Sequence, residues 1–91
     1  MKYLVTLSPD AIDDLAKLRR NEPKAYEKAL DLIDELSEHP RIGKGKPEPL
    51  SGDRSGQWSR RINHRHRMVY EIQDTVVKVF VLSSYGHYDD K

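Results

Sequence analysis

An α+β fold with the element order β-α-α-β-β-β is what the sequence predicts, and three patterns predict it. Two apolar stripes at helical spacing, each opened by a proline, occupy residues 8–39. Polar and apolar residues alternate through residues 57–73, and a nearly continuous apolar run fills Thr75–Leu82. The architecture expected is a twisted, mainly antiparallel sheet with two helices packed on one face. Arginines are left for the other face.

Lys2–Leu7 reads as a first short strand. Ser8-Pro9-Asp10 then signals a helix start, with serine as N-cap, proline in the first turn and an acid near the positive end of the dipole. Ala11, Ile12, Leu15 and Leu18 carry its apolar stripe until Asn21-Glu22-Pro23 interrupts. In the second helix Tyr26, Ala29, Leu30, Ile33 and Leu36 form the stripe, and His39-Pro40 with Gly43 ends it. Both stripes are read as core. Residues 41–56, with five glycines or prolines between Arg41 and Gly56, read as a loop. Gln57–Gln73 reads as a β-hairpin in which Trp58, Arg60 and Ile62 share a face with Met68, Tyr70 and Ile72. If the apolar sets coincide, the turn has an odd number of residues centred near His64, and Arg61 and Arg67 fall together on the opposite face. Thr75–Leu82 is expected to be a central strand covered on both sides for much of its length.

Ninety-one residues suffice for one domain, residues 1–91, and not for two. No cysteine is present, so neither a disulfide framework nor a thiolate metal site is available; that usage fits a reducing compartment. The apolar run at the N-terminus is too short for a signal peptide and no stretch approaches a membrane span. The expectation is a cytoplasmic protein with no membrane partner. The net charge of +1 hides an asymmetry: residues 41–70 hold eight cations (Arg41, Lys44, Lys46, Arg54, Arg60, Arg61, Arg65, Arg67) against Glu48 and Asp53. Mostly arginine and interleaved with Trp58 and Tyr70, this stretch suits phosphate and base contacts, with Lys44, Lys46, Arg60, Arg61 and Arg65 as candidate RNA contacts.

His64 and His66 are two apart with no carboxylate completing a ligand set, so neither a metal nor any other cofactor is expected. No serine sits in a nucleophile-elbow context and no phosphate-binding glycine loop is present. A carboxylate, arginines, a histidine and tyrosines remain. RNA can be cut with these, because the substrate brings its own nucleophile: a base takes the 2′-hydroxyl proton, the oxygen attacks phosphorus, cations stabilise the added negative charge, and an acid protonates the departing 5′-oxygen. Glu48, stiffened between two prolines, is the candidate base. His87 is the candidate acid, and Arg61 and Arg67 are the candidate phosphate donors. On the residues alone, Glu48 also fits a solvated surface charge, and a terminal His-Tyr also fits packing or disorder.

Two linked stretches add a resemblance. Lys44-Gly45-Lys46-Pro47-Glu48-Pro49-Leu50, then Ser55-Gly56-Gln57-Trp58-Ser59-Arg60-Arg61-Ile62, with His66-Arg67-Met68-Val69-Tyr70 and the closing His87-Tyr88, resemble the YoeB branch of the RelE/YoeB/ParE toxin superfamily. The likeness runs from the first strand to Tyr88. It implies a RelE-like fold and the toxin of a type II toxin–antitoxin system, an endoribonuclease cutting mRNA in the ribosomal A site. It also implies a cognate antitoxin as partner, and leaves open a homodimer or a toxin–antitoxin hetero-oligomer. By position, it makes Glu48 general base, His87 general acid and Arg67 the transition-state clamp, with Arg61 a phosphate contact and Tyr88 a stacking or orienting group. Departures are Arg65 where the family often has a carboxylate, Ser51 where it has lysine, Gly86 before His87, and the extension Asp89-Asp90-Lys91. Relatives that inhibit DNA gyrase without cutting nucleic acid, or an idle ribosome-binding module, are the competing classes, because fold alone does not fix function.

Overall fold

Ser8 fixes where the first helix starts. In the computed structural model, which describes residues 2–85, its hydroxyl accepts the Ala11 N–H at 3.0 Å and donates to the Leu82 carbonyl at 2.9 Å. One side chain therefore caps helix α1 (Pro9–Asn21) and ties it to the last strand. Asp10 lies in the first turn and Arg19 and Arg20 in the last, each at the end of the dipole it complements. Glu22 leaves helical conformation at φ −144° and Pro23 opens α2 (Pro23–Leu36) directly after it.

The inward faces differ from the expected stripes. In α1, Ala11, Leu15 and Leu18 are buried as expected while Ile12 is 54% exposed. In α2 the buried set is Ala25, Ala29, Leu32 and Leu36, and Leu30 points outward. Both 30 and 32 are leucine, and packing against the sheet selects the second.

Five strands, β1 (Leu4–Leu7), β2 (Glu48–Pro49), β3 (Gln57–Arg61), β4 (Arg67–Gln73) and β5 (Lys78–Ser83), make one sheet in the order β1-β5-β4-β3-β2, with β1 parallel to β5 and every other pairing antiparallel. This is the two-helix α+β architecture expected, with one strand more. The extra strand is β2 (Glu48–Pro49), two residues inside the stretch read as loop, pairing Glu48 with Ser59 and Pro49 with Trp58. Proline is tolerated there because β2 lies on the sheet edge, where its missing N–H breaks no inner ladder.

The hairpin of β3 (Gln57–Arg61) and β4 (Arg67–Gln73) has the register expected, with Arg61 opposite Arg67 and residues 62–66 as the turn. Asn63 makes that turn: its side-chain oxygen accepts the N–H groups of Arg65 and His66, both at 2.9 Å. The last strand is shorter than the apolar run suggested. Asp74–Val76 forms a 3₁₀ turn and Val77 is left-handed at φ 55°, so the strand begins only at Lys78. It lies between β1 and β4, and its two sides differ. Val79 and Val81 are fully buried under the helices, whereas Phe80 and Leu82 are only partly covered.

The core fills the space between the helices and that sheet face. Leu18, Leu32, Leu36, Val79 and Val81 are all 0% exposed, each contributing about 1.5–3 kcal/mol relative to exposure. Met68 and Tyr70 of β4 complete it. Strand alternation sends Ser59, Arg61 and Arg67 to the opposite sheet face, together with the buried Val69.

Candidate active site

Register brings the predicted groups together. Glu48 is paired with Ser59, Ser59 with Val69, and Arg61 with Arg67, so the four polar residues project from one face across β2, β3 and β4. Arg67 Nη1 donates to the Ser59 hydroxyl at 3.2 Å and lies 3.7 Å from Glu48 Oε2. The latter separation is an ion pair without a hydrogen bond. At 50% exposure of the Glu48 side chain, such a pair is worth under about 1 kcal/mol. Glu48 is thus close to a permanent cation and half exposed to solvent. Ser59 is fully buried and holds the Arg67 guanidinium beside Glu48; the sequence marks it by nothing beyond strand alternation.

Arg61 and Arg67 stand directly opposite, and like charges so placed cost up to about 1 kcal/mol unless an anion lies between or beside them. Glu48 supplies part of that negative charge. A phosphate diester would supply more, in the planar bidentate form that guanidinium matches. Lys44 and Lys46 extend the positive surface along the loop before β2, both exposed. Near the start of β3, Ser51, Asp53, Arg54 and Gln57 line an open depression of about 530 Å³.

Arg60 requires a correction. The sequence counts it among RNA-contacting cations, but its side chain is 0% exposed and lies on the core face. Its Nε donates to the Tyr70 hydroxyl at 3.1 Å, one terminal nitrogen donates to Glu35 Oε1 and to the Lys44 carbonyl, and the other to the carbonyls of His39 and Ile42, the last at 2.8 Å. Strand period is the reason: neighbours in a strand face opposite ways, so one arginine of the pair is inside when the other is outside. Tyr70 in turn donates to the Pro40 carbonyl at 2.7 Å, and burial pushes its phenol pKa up. Burial would raise the Glu35 carboxyl too, yet the Lys44 N–H and the Arg60 guanidinium hold it below its ordinary value.

Arg65 also has an engagement the sequence did not show. It lies 2.8 Å from Glu22 at the α1–α2 junction, where Glu22 also meets His66 Nε2 at 2.6 Å. The His66 hydrogen bond, with Arg65 behind it, holds the Glu22 carboxyl below the ordinary range. His66 is nearly buried, and its ring centre is 4.4 Å from that of Tyr85, over which Lys17 Nζ sits at 5.4 Å. The Ser84 N–H bonds Asp14 at 2.9 Å. These contacts bring the chain after β5 to the β3–β4 turn. His87 and Tyr88, the expected acid and stacking group, lie outside the described residues. Among the described residues no three His, Asp or Glu side chains are grouped as metal ligands, and no helix is long and apolar enough to cross a membrane.

Fold and site together define a class: a small α+β protein that sets Arg61, Arg67 and Glu48 side by side on the sheet face opposite its helices. The YoeB/ParE toxin from Agrobacterium tumefaciens superposes with a TM-score of 0.86 at 36% identity, covering 93% of this chain and 99% of that one. The toxin in the YoeB–YefM complex from Staphylococcus aureus does so at 0.79 and 34%, over 97% and 100%. A family model described as the YoeB-like toxin of bacterial type II toxin–antitoxin systems matches residues 7–88, and toxin YoeB of Mycobacterium bovis is 40% identical over 84 residues, 92% of this chain and 96% of its own length. The chain belongs to the YoeB-like toxin family.

Proposed function

We propose that this toxin is a metal-independent endoribonuclease that cuts mRNA in the A site of the ribosome, in the cytoplasm, and so stops translation. The observation that carries the reading is the Arg61–Arg67 cross-strand pair with Glu48 3.7 Å from Arg67, on the sheet face opposite the helices. Glu48 removes the 2′-hydroxyl proton, the oxygen attacks the adjacent phosphorus, and the two guanidinium groups stabilise charge on the non-bridging oxygens. His87, by its position in the family motif, protonates the leaving 5′-oxygen, and Tyr88 stacks on or orients a base. Upstream RNA then ends in a 2′,3′-cyclic phosphate and downstream RNA in a 5′-hydroxyl. Lys44 and Lys46 contact RNA backbone, and a cognate antitoxin covers the same face to silence it.

The test is to map mRNA 5′ ends after expression of wild type and of a Glu48→Gln, His87→Gln double variant, then to repeat cleavage on purified programmed ribosomes in excess chelator. Cleavage with 5′-hydroxyl ends, lost in the double variant, is expected. Ends bearing 5′-phosphate, or activity lost in chelator, would overturn the mechanism. Toxicity without any cleavage would move the chain to the protein-binding class.

A further inference from the structure

Arg60 performs no contact with solvent, and its surroundings are more specific than a buried ion pair requires. Three of its acceptors are carbonyls of a single connection, His39, Ile42 and Lys44, which leaves α2 and runs to β2. The Glu35 carboxylate that neutralises it also accepts the Lys44 N–H at 2.9 Å. The same connection is pinned from below by Tyr70 at Pro40 and from the side by the Arg61 N–H, which donates to the Gly45 carbonyl at 2.6 Å. Two glycines make the fit possible. A Cβ on Gly43 would fall 2.1 Å from Glu35 Oε1, and one on Gly45 would fall 2.8 Å from the Arg61 carbonyl, with φ values of +119° and +79°. The loop is therefore clamped over Arg60 from its first carbonyl to Gly45. Lys46 and Pro47 alone separate it from Glu48.

We propose that Arg60 is a positioning residue: its buried guanidinium sets the path of the loop that delivers Lys44 and Glu48 to the basic face. The role rests on the nuclease reading with Glu48 as base. Burying a cation costs several kcal/mol unless it is paired and fully hydrogen-bonded, and here every guanidinium nitrogen has an acceptor in the loop, in Glu35 or in Tyr70. A general base must sit within hydrogen-bond reach of its proton, and a displacement of about 1 Å can cost on the order of a hundredfold in rate. Arginine rather than lysine is needed, because only a planar fork reaches several carbonyls at once.

Two variants test it in the full-length protein. Arg60→Lys keeps the charge opposite Glu35 but loses the fork; Gly45→Ala, whose methyl would meet the Arg61 carbonyl and the Arg60 Cβ, shifts the loop off β3 and keeps both Arg60 and Glu35, should the first fail to fold. Amide hydrogen exchange at Lys44 and Arg61 reports the loop directly, and single-turnover cleavage on saturating ribosomes with ribosome affinity reports the chemistry. Faster exchange at those two amides, native exchange elsewhere, affinity within about threefold of wild type and a cleavage rate at least about tenfold lower per folded molecule are expected. Unchanged loop exchange overturns the clamp. A loosened loop that cuts at the wild-type rate overturns the positioning role. A wild-type protein that leaves ribosome-bound message whole removes the nuclease reading and the positioning role together, and the exchange data still report separately whether Arg60 holds the loop.

Discussion

Arg67→Ala should slow the chemical step far more than it weakens ribosome binding. The Arg67 side chain is only 18% exposed, its Nη1 held by the buried Ser59 hydroxyl and aligned beside Glu48. In the proposed reaction such a donor is pre-oriented toward charge that grows as the 2′-oxygen closes on phosphorus. Removing one pre-oriented donor of this type costs about 3–4 kcal/mol, a hundredfold to a thousandfold in rate. Affinity draws instead on the whole basic surface, so losing one cation among Lys44, Lys46, Arg54, Arg61 and Arg67 costs little. Arg67→Lys should recover only part of the rate, since a point charge does not reproduce the planar fork. Ser59→Ala should act in the same direction and more weakly, by about tenfold or less, the worth of one hydrogen bond to a charged group discounted for the arginine's partial exposure. Single-turnover cleavage at saturating ribosome, set against equilibrium binding, separates the two quantities. Wild-type cleavage by bound Arg67→Ala would show that the chemistry belongs to another arginine and another face.

Strand period made most of this face legible in the sequence. The odd turn centred on His64 put Arg61 and Arg67 side by side, as the register confirms, and the same alternation placed Arg60 with Trp58 and Ile62. Composition pulled the other way, because counting cations takes no account of which way they point. What makes Arg60 tolerable inside is Glu35, 25 residues upstream, together with loop carbonyls, and neither leaves a local trace. Similarly, Glu22 reads as a helix breaker, while its partners Arg65 and His66 lie beyond β3. A two-residue strand ending in proline has no period to detect, and Val77 adopts a left-handed conformation that a β-branched residue rarely signals. The Leu30 or Leu32 choice in α2 belongs to tertiary packing rather than to the stripe.

Ribosome binding should weaken steeply with added salt, because arginine and lysine contacts to phosphate release condensed counterions; titrations at several ionic strengths check this, and bound antitoxin should abolish both binding and cleavage. Arg54→Ala, in the 3₁₀ turn Gly52–Arg54 at the edge of the site, should reduce affinity modestly and leave the saturated cleavage rate unchanged. The last prediction concerns acid. Glu22, Glu35 and Asp74 all titrate below their ordinary values in the folded chain, Asp74 because Arg41 and Tyr3 hydrogen-bond to it. A carboxyl depressed by folding binds protons more readily when unfolded, so its contribution is complete above the ordinary value and is lost as pH falls through the folded one. Stability should therefore hold down to the ordinary glutamate value of 4.5 and decline below it. Glu35→Gln should be less stable than wild type at neutral pH, because the buried Arg60 then lacks its counter-charge. It should also show a shallower acid limb, so that the two curves converge as pH drops. Denaturant unfolding from neutral to strongly acidic pH measures both, and parallel curves for the two proteins would show that Glu35 carries no linked proton.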